Sequence, residues 1–269
     1  MPLPSIPTYP LPRADELPAS RVSWRFDPAR AVLLVHDMQR YFLDAYTEEF
    51  TALYEGIAAL RELGLPTFYT AQTAPQVPET RGLQSDMWGP GMQERGEIVA
   101  AVAPADGDVV LTKHRYSAFA RSDLAERMRE LGRDQIVLCG VYAHIGVLTT
   151  ALDAFVRDIK PFFVADALAD FSREKHLTAL SIVASCAGVV TTVAGLSTIG
   201  LDEVRAAVLA LLDEEAGDDE NLIDAGLDSI RVMTLVEDWK KRGLNVGFAD
   251  LAEEPTIAGF HRALTRGTR

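Results

Sequence analysis

The sequence predicts an α/β fold, a parallel sheet with helices on both faces, followed by a small helical bundle. Three observations carry this. Six short apolar runs in the first 195 residues alternate with longer amphipathic stretches. Each run is continuously apolar with a β-branched or aromatic centre, as expected of strands covered on both faces. Beyond residue 202 the runs give way to apolar residues at helical spacing.

In chain order, MPLPSIPTYPLPRADELPAS (1–20) reads as a proline-rich arm lying on the surface. It lacks the basic start and apolar core of a secretory signal. The strands are AVLLVHD (31–37), PTFYTAQ (66–72), DVVLTK (108–113), QIVLCGV (135–141), KPFFVAD (160–166) and GVVTTV (188–193). Helix-like stretches lie near 51–63, 119–131, 146–157 and 173–186, and such alternation makes consecutive strands parallel. The interval 73–107 is long and rich in Gly and Pro, which suits an active-site loop.

AGLSTIGLD (194–202) is small and turn-forming, so the expected division is a domain over 1–195, a linker over 196–202 and a second domain over 203–269. There Val204, Ala207, Val208, Leu211 and Leu212 form one helical stripe. An acidic loop (213–221) leads to a second helix over 229–241, striped by Val232, Leu235, Val236 and Trp239. A short segment at 248–252 and a helix over 255–265, with Pro255 in its first turn, complete a four-helix bundle.

Composition narrows the partners. With 48% hydrophobic and 24% charged residues among 269, the chain can bury a proper core. No apolar run reaches the roughly 20 residues of a membrane helix. The net charge of −13 argues against nucleic acid, whose binding neutralises phosphates with Lys and Arg. From residue 201 onward there are 15 acidic and 8 basic residues, which suits partners with basic surfaces. Cys139, in a strand-like run, and Cys186, in a helix-like one, are expected to be free buried thiols in a reducing cytoplasm.

Polar residues recur where strands end. Asp37 closes the first run, Gln72 the second and Lys113 the third, while the fourth passes into Tyr142, His144 and Gly146. In open parallel sheets ligands bind at the carboxyl ends of the strands. One such residue could be a simple cap; four in succession converge on one cleft.

GVYAHIGVLTTALDAF (140–155), HDMQRYF (36–42), YTAQ (69–72), DMWGPGM (86–92), KHRYSAF (113–119) and VADALADFSREKH (164–176) closely resemble isochorismatases of catecholate siderophore pathways. The superfamily also contains cysteine amidohydrolases, in which an Asp ends the first strand, a Lys the third, and a Cys nucleophile opens the helix after the fourth. Gly146 stands where that Cys would be, and the isochorismatase branch shares the loss. An acyl-enzyme route needs a thiolate there, and glycine supplies none.

The resemblance implies a Rossmann-like three-layer domain that hydrolyses a vinyl ether without metal or nucleophile. Asp37 is the expected general acid and Lys113 its orienting partner or a contact for substrate charge. An adjacent ammonium lowers a carboxyl pKa whereas this role wants it raised, so substrate carboxylates and desolvation would have to restore it. By resemblance Gln72, Arg81, Trp88, Tyr142 and Gly146 line the pocket. Arg81 suits a carboxylate or is a solvated loop charge, and Trp88 is a pocket wall or core packing. His36 and His144 are expected in hydrogen-bonding roles, with no metal cluster. His114 is structural or solvent-facing, and Asp166 and Asp170 fix loop and helix ends.

NLIDAGLDSIRVMTLV (221–236) resembles the attachment segment of aryl and other carrier proteins. It implies covalent 4′-phosphopantetheine on Ser229, where the helix N-terminus favours a phosphodiester; the plainer reading is an N-cap serine. Met233 and Phe248 are partner contacts or core. The module order resembles bifunctional isochorismatase–aryl carrier proteins. That implies isochorismate as substrate and, as partners, a phosphopantetheinyl transferase, an aryl-adenylating enzyme, a nonribosomal peptide synthetase and a second copy through the first domain. The competing readings are hydrolysis of 2-amino-2-deoxyisochorismate, a degenerate scaffold for carrier docking and, remotely, a cysteine amidohydrolase.

Overall fold

The six apolar runs form one sheet: β1 (Ala31–His36), β2 (Thr67–Ala71), β3 (Val109–Thr112), β4 (Gln135–Val141), β5 (Lys160–Ala169) and β6 (Val189–Thr191). The structure is a computed structural model and describes residues 3–196, 199–212, 214–241, 244 and 246–265. Every pairing is parallel, in the order β3-β2-β1-β4-β5-β6. The order reverses beside β1, with β2 and β3 on one side and β4 to β6 on the other. Connections leave such a point in opposite directions and open a crevice at the carboxyl ends of the strands.

β1 and β4 are buried along their whole length, from Ala31 opposite Gln135 to His36 opposite Gly140. Helices α1 (Thr51–Arg61), α2 (Leu124–Glu130), α3 (Leu148–Phe155) and α4 (Arg173–Cys186) pack on the sheet. Val32, Leu34, Phe163, Val147, Ala151, Leu180 and Val183 share one core cluster, which joins sheet to α3 and α4. Ser172 caps α4 by accepting the Lys175 N–H. No helix among the described residues is long and apolar enough to cross a membrane.

Several expectations need correction. The helix expected from 119 starts at Leu124, because Arg121 takes a left-handed backbone (φ +62°) that a right-handed helix cannot include. Cys139 is buried, but Cys186, the last residue of α4, is exposed; both are free thiols. The N-terminal arm is partly built in rather than laid on the surface. Ile6 is 1% exposed, and its N–H and C=O pair with Ala45 and Thr47.

By contacts the chain divides into two units, 3–22 with Phe26–Val193, and Ser23–Arg25 with 194–265, over the described residues. In the second, α5 (Leu201–Leu209), α6 (Ser229–Lys241), α7 (Phe248–Ala252) and α8 (Ile257–Thr265) surround Trp239 and Phe260. The two rings meet edge to face at 6.3 Å. Val204, Val208, Val232, Leu235 and Val236 are buried in the same core, as their spacing predicts. α5 begins at Leu201, inside the stretch read as linker; Ser197 and Thr198 of that stretch lie outside the described residues. Pro255 precedes α8 instead of opening it, and Thr256 Oγ1 accepts the Gly259 N–H in the capping position.

Candidate active site

Asp37 follows β1 directly, with a left-handed backbone (φ +51°) that non-glycine residues seldom adopt. Its N–H donates to the Thr70 carbonyl and hydroxyl of β2, at 3.2 and 3.1 Å. The carboxylate is surrounded by donors: the Thr70 hydroxyl on Oδ1 at 2.5 Å, and the Gln72 amide on Oδ2 at 3.2 Å. Lys113, just past β3, forms an ion pair with the same Oδ2. Asp37 and Lys113 are 4% and 6% exposed, so the pair is shielded from water.

Burial alone raises the Asp37 pKa, but the Lys113 charge and the hydrogen bonds from Lys113 and Thr70 together pull it below the usual carboxylate range. Burial likewise draws Lys113 down, opposed by Asp37. In the free protein the acid is therefore held ionised against its ammonium. His36 is pushed down to about 4, by burial first and by Lys113 second, and is neutral.

Asp37, Gln72, Arg81, Trp88, Lys113, Tyr142 and Gly146 all line one pocket. Arg81 is no solvated loop charge. It is 5% exposed, bonds to Gln76 Oε1, and keeps a buried Nε–H without a partner among the described residues. Burial lowers its pKa. The Trp88 ring is half-buried at the pocket, and its Nε1–H donates to the Tyr116 hydroxyl at 2.6 Å. Tyr142 spends its hydroxyl on the Phe42 carbonyl (2.9 Å), and its ring lies 4.3 Å from Phe171.

Sequence reasoning left several residues without a role. Gln39 clamps Gln72: its amide donates to the Gln72 carbonyl at 2.8 Å, and its Oε1 accepts the Gln72 N–H at 2.7 Å. Gln76, Tyr116, Phe171 and Leu3 of the arm also face the pocket. Thr70 was legible in principle, two positions before Gln72 along YTAQ and thus on the same side of β2. Gln76 and Phe171 come from irregular segments, where spacing carries no such signal.

The flanking histidines make hydrogen bonds. His36 Nδ1 lies 3.0 Å from the Val141 carbonyl and Nε2 3.3 Å from Thr150 Oγ1. Buried Asp170 accepts the His144 N–H and contacts its Nδ1, and it accepts the Phe171 N–H at 2.7 Å. Asp166 accepts the Val193 N–H at 2.8 Å. His114 is half-buried. Among the described residues no group of three His, Cys, Asp or Glu is placed to hold a metal ion.

In the second unit Ser229 is exposed in the first turn of α6. The cap belongs to its neighbour: Asp228 Oδ1 accepts the Arg231 N–H at 2.8 Å, so capping does not account for the serine. An exposed hydroxyl on a thirteen-residue helix, at its positive end, fits attachment of a phosphodiester. Met233 and Phe248 are exposed, at 45% and 42%, and so are not core.

A buried carboxylate–ammonium pair in a pocket at the switch point of a parallel sheet, lined also by Gly146, marks the first unit as a hydrolase domain. A helical unit with an exposed first-turn serine accompanies it. The chain belongs to the isochorismatase family: residues 31–195 match the isochorismatase domain, and residues 202–264 match the phosphopantetheine attachment site. It is 45% identical to enterobactin synthase component B of Escherichia coli, over 99% of each chain. It is 44% identical to an isochorismatase of Bacillus subtilis, over 98% of this chain and 96% of that one. Phenazine biosynthesis protein PhzD1 of Pseudomonas aeruginosa is 54% identical over 71% of this chain and 96% of its own.

Proposed function

We propose that the protein hydrolyses isochorismate to pyruvate and 2,3-dihydro-2,3-dihydroxybenzoate, and carries an aryl acid as a phosphopantetheine thioester on Ser229. The observation that supports the hydrolysis most is the Asp37–Lys113 pair in a pocket also lined by Gly146, where the resemblance puts the cysteine of the amidohydrolases. A buried carboxyl can deliver a proton to carbon, and nothing in that arrangement calls for an acyl-enzyme.

Asp37 gives its proton to the terminal methylene of the enolpyruvyl group, leaving an oxocarbenium carbon. Water adds there and releases a proton, which returns the acid to its starting state. The hemiketal then collapses, breaking the C–O bond to the ring and freeing pyruvate and the dihydrodiol. Since Asp37 is ionised in the free protein, it must gain its proton with substrate. Two substrate carboxylates, one on Arg81 and one near Lys113, supply negative charge that draws its pKa back up. Gln72 and Thr70 orient the carboxyl oxygens, and Trp88 with Tyr142 flanks the ring.

Ser229 forms the phosphodiester, and the attached arm supplies the thiol on which an aryl acid is carried. A transferase with a basic surface would approach the acidic second domain, here placed at 203–269. Met233 and Phe248 are the apolar contacts offered to this transferase, to an aryl-adenylating enzyme and to a nonribosomal peptide synthetase. We place the protein in the cytoplasm, where two free thiols are at home. A homodimer through the first domain accords with the exposed apolar side chains Leu152, Phe155 and Val156.

Pyruvate release from isochorismate tests the first half. Asp37→Ala is expected to cut turnover by about 10²–10⁴-fold, and undiminished turnover would remove Asp37 from the chemistry. Treatment with coenzyme A and a transferase tests the second: intact mass should gain one phosphopantetheine in wild type and none in Ser229→Ala. The 54% identity to a phenazine biosynthesis protein favours one other reading, 2-amino-2-deoxyisochorismate as substrate. Comparing kcat/KM for the two substrates decides between them.

A further inference from the structure

His36 lies under the acid–ammonium pair but has no part in the proton transfer. It is fully buried at the end of β1, with Nδ1 held by the Val141 carbonyl and Nε2 beside Thr150. Two glycines of the neighbouring segment back directly onto it. At Gly140, whose φ is +104°, a β-carbon would run into the His36 backbone, 2.8 Å from its nitrogen and nearer still to its carbonyl oxygen. At Gly146 a β-carbon would strike the imidazole at Cε1, with Nδ1 at 3.3 Å and the Lys113 ammonium at 3.1 Å. The ring is pinned from both ends and its backbone is paired on both sides, so it has no free direction in which to retreat.

We propose that position 146 is glycine because His36 fills the space of its side chain, and that His36 is thereby a positioning residue that restricts this site to chemistry without a nucleophile. The inference rests on the isochorismatase reading and deepens it. A side chain at 146 must displace either the imidazole or the Lys113 ammonium, and each of these adjoins Asp37: His36 Nδ1 lies 3.8 Å from Oδ2, and Lys113 is ion-paired to it. Loss of a nucleophile and presence of the histidine are then one structural fact. Esters and amides that need an attacking thiolate are excluded, while a vinyl ether protonated by Asp37 is not.

A double-mutant cycle on the full chain tests this, with wild type, Gly146→Ala, His36→Val and the pair compared for pyruvate release from isochorismate and for Tm. In wild type, Gly146→Ala should lower kcat/KM roughly 100-fold, the scale of an ångström of misplacement in an active site. With His36→Val already present, the same change should cost no more than about twofold, the scatter of independent sites. A merely structural role for His36 would not relieve the penalty at 146. Equal penalties in the two backgrounds, or no penalty in wild type, overturn the proposal. Should His36→Val be too slow to assay, the Tm cycle tests the packing on which the proposal stands: the loss on Gly146→Ala must shrink when His36 is absent, and an unchanged loss overturns it. Wild type that releases no pyruvate would count against the proposed function, and the Tm cycle would still decide the packing claim.

Discussion

The acid proposed here is set by two opposed influences at one carboxyl group. Burial favours the protonated form of Asp37, while the Lys113 ammonium and the hydrogen-bond donors around it favour the ionised form and prevail. A general acid works below its pKa and loses activity as pH rises through it. Lys113→Met removes one lowering influence and leaves burial in place, so the Asp37 pKa rises. The alkaline limb of the kcat/KM profile should move to higher pH, even though overall turnover falls with loss of the charge that meets substrate. A limb that stays put, or moves down, means that Asp37 is not the group being titrated.

At the level of elements, each domain depends on one helix more than on the others. α6 carries Ser229 on its first turn and packs Val232, Leu235, Val236 and Trp239 on its inner face. Trp239 is 1% exposed against Phe260, and truncating such a residue costs about 3–5 kcal/mol. A unit of this size has little stability in reserve. Trp239→Ala is therefore expected to abolish modification at Ser229, with amides of α6 losing their hydrogen-exchange protection. Full protection in the variant would show that the core does not depend on this ring. In the first unit α3 holds the corresponding place. Its preceding turn brings Gly146 to the pocket, and its Thr150 hydroxyl donates to the Gly146 carbonyl at 2.8 Å, beside His36.

For the whole molecule, two buried histidines make stability depend on acid. His36 and His176 are both pushed down to about 4, chiefly by burial, against an ordinary value of 6.5. Between those values the unfolded chain binds a proton on each and the folded chain does not. Stability is thus complete above pH 6.5 and falls as pH drops toward 4, by roughly 1.4 kcal/mol per pH unit for each histidine. Asp166, whose pKa burial raises, takes up a proton in the folded state and works in the opposite direction. Calorimetric Tm should decline across that window, and His176→Gln should make the decline shallower. An unaltered slope in that variant would remove His176 from the account.

Much of this was legible without coordinates. Buried parallel strands must be continuously apolar, so AVLLVHD and QIVLCGV declared themselves, and polar residues at the ends of such runs had to meet where the strands end. Helical spacing marked Val232 to Trp239 just as directly. Contacts between distant segments left no such periodic trace: the Gln39 clamp on Gln72, the arm residue Ile6 beside Ala45, and the outward turn of Cys186. Local pattern determined which residues form strands and helices, because backbone geometry repeats every two or 3.6 residues. Only the tertiary structure decided that the Asp37 carboxylate rests ionised against Lys113 and that His36 occupies the space beside Gly146. Both depend on distances between segments more than 70 residues apart, which no repeat along the chain records.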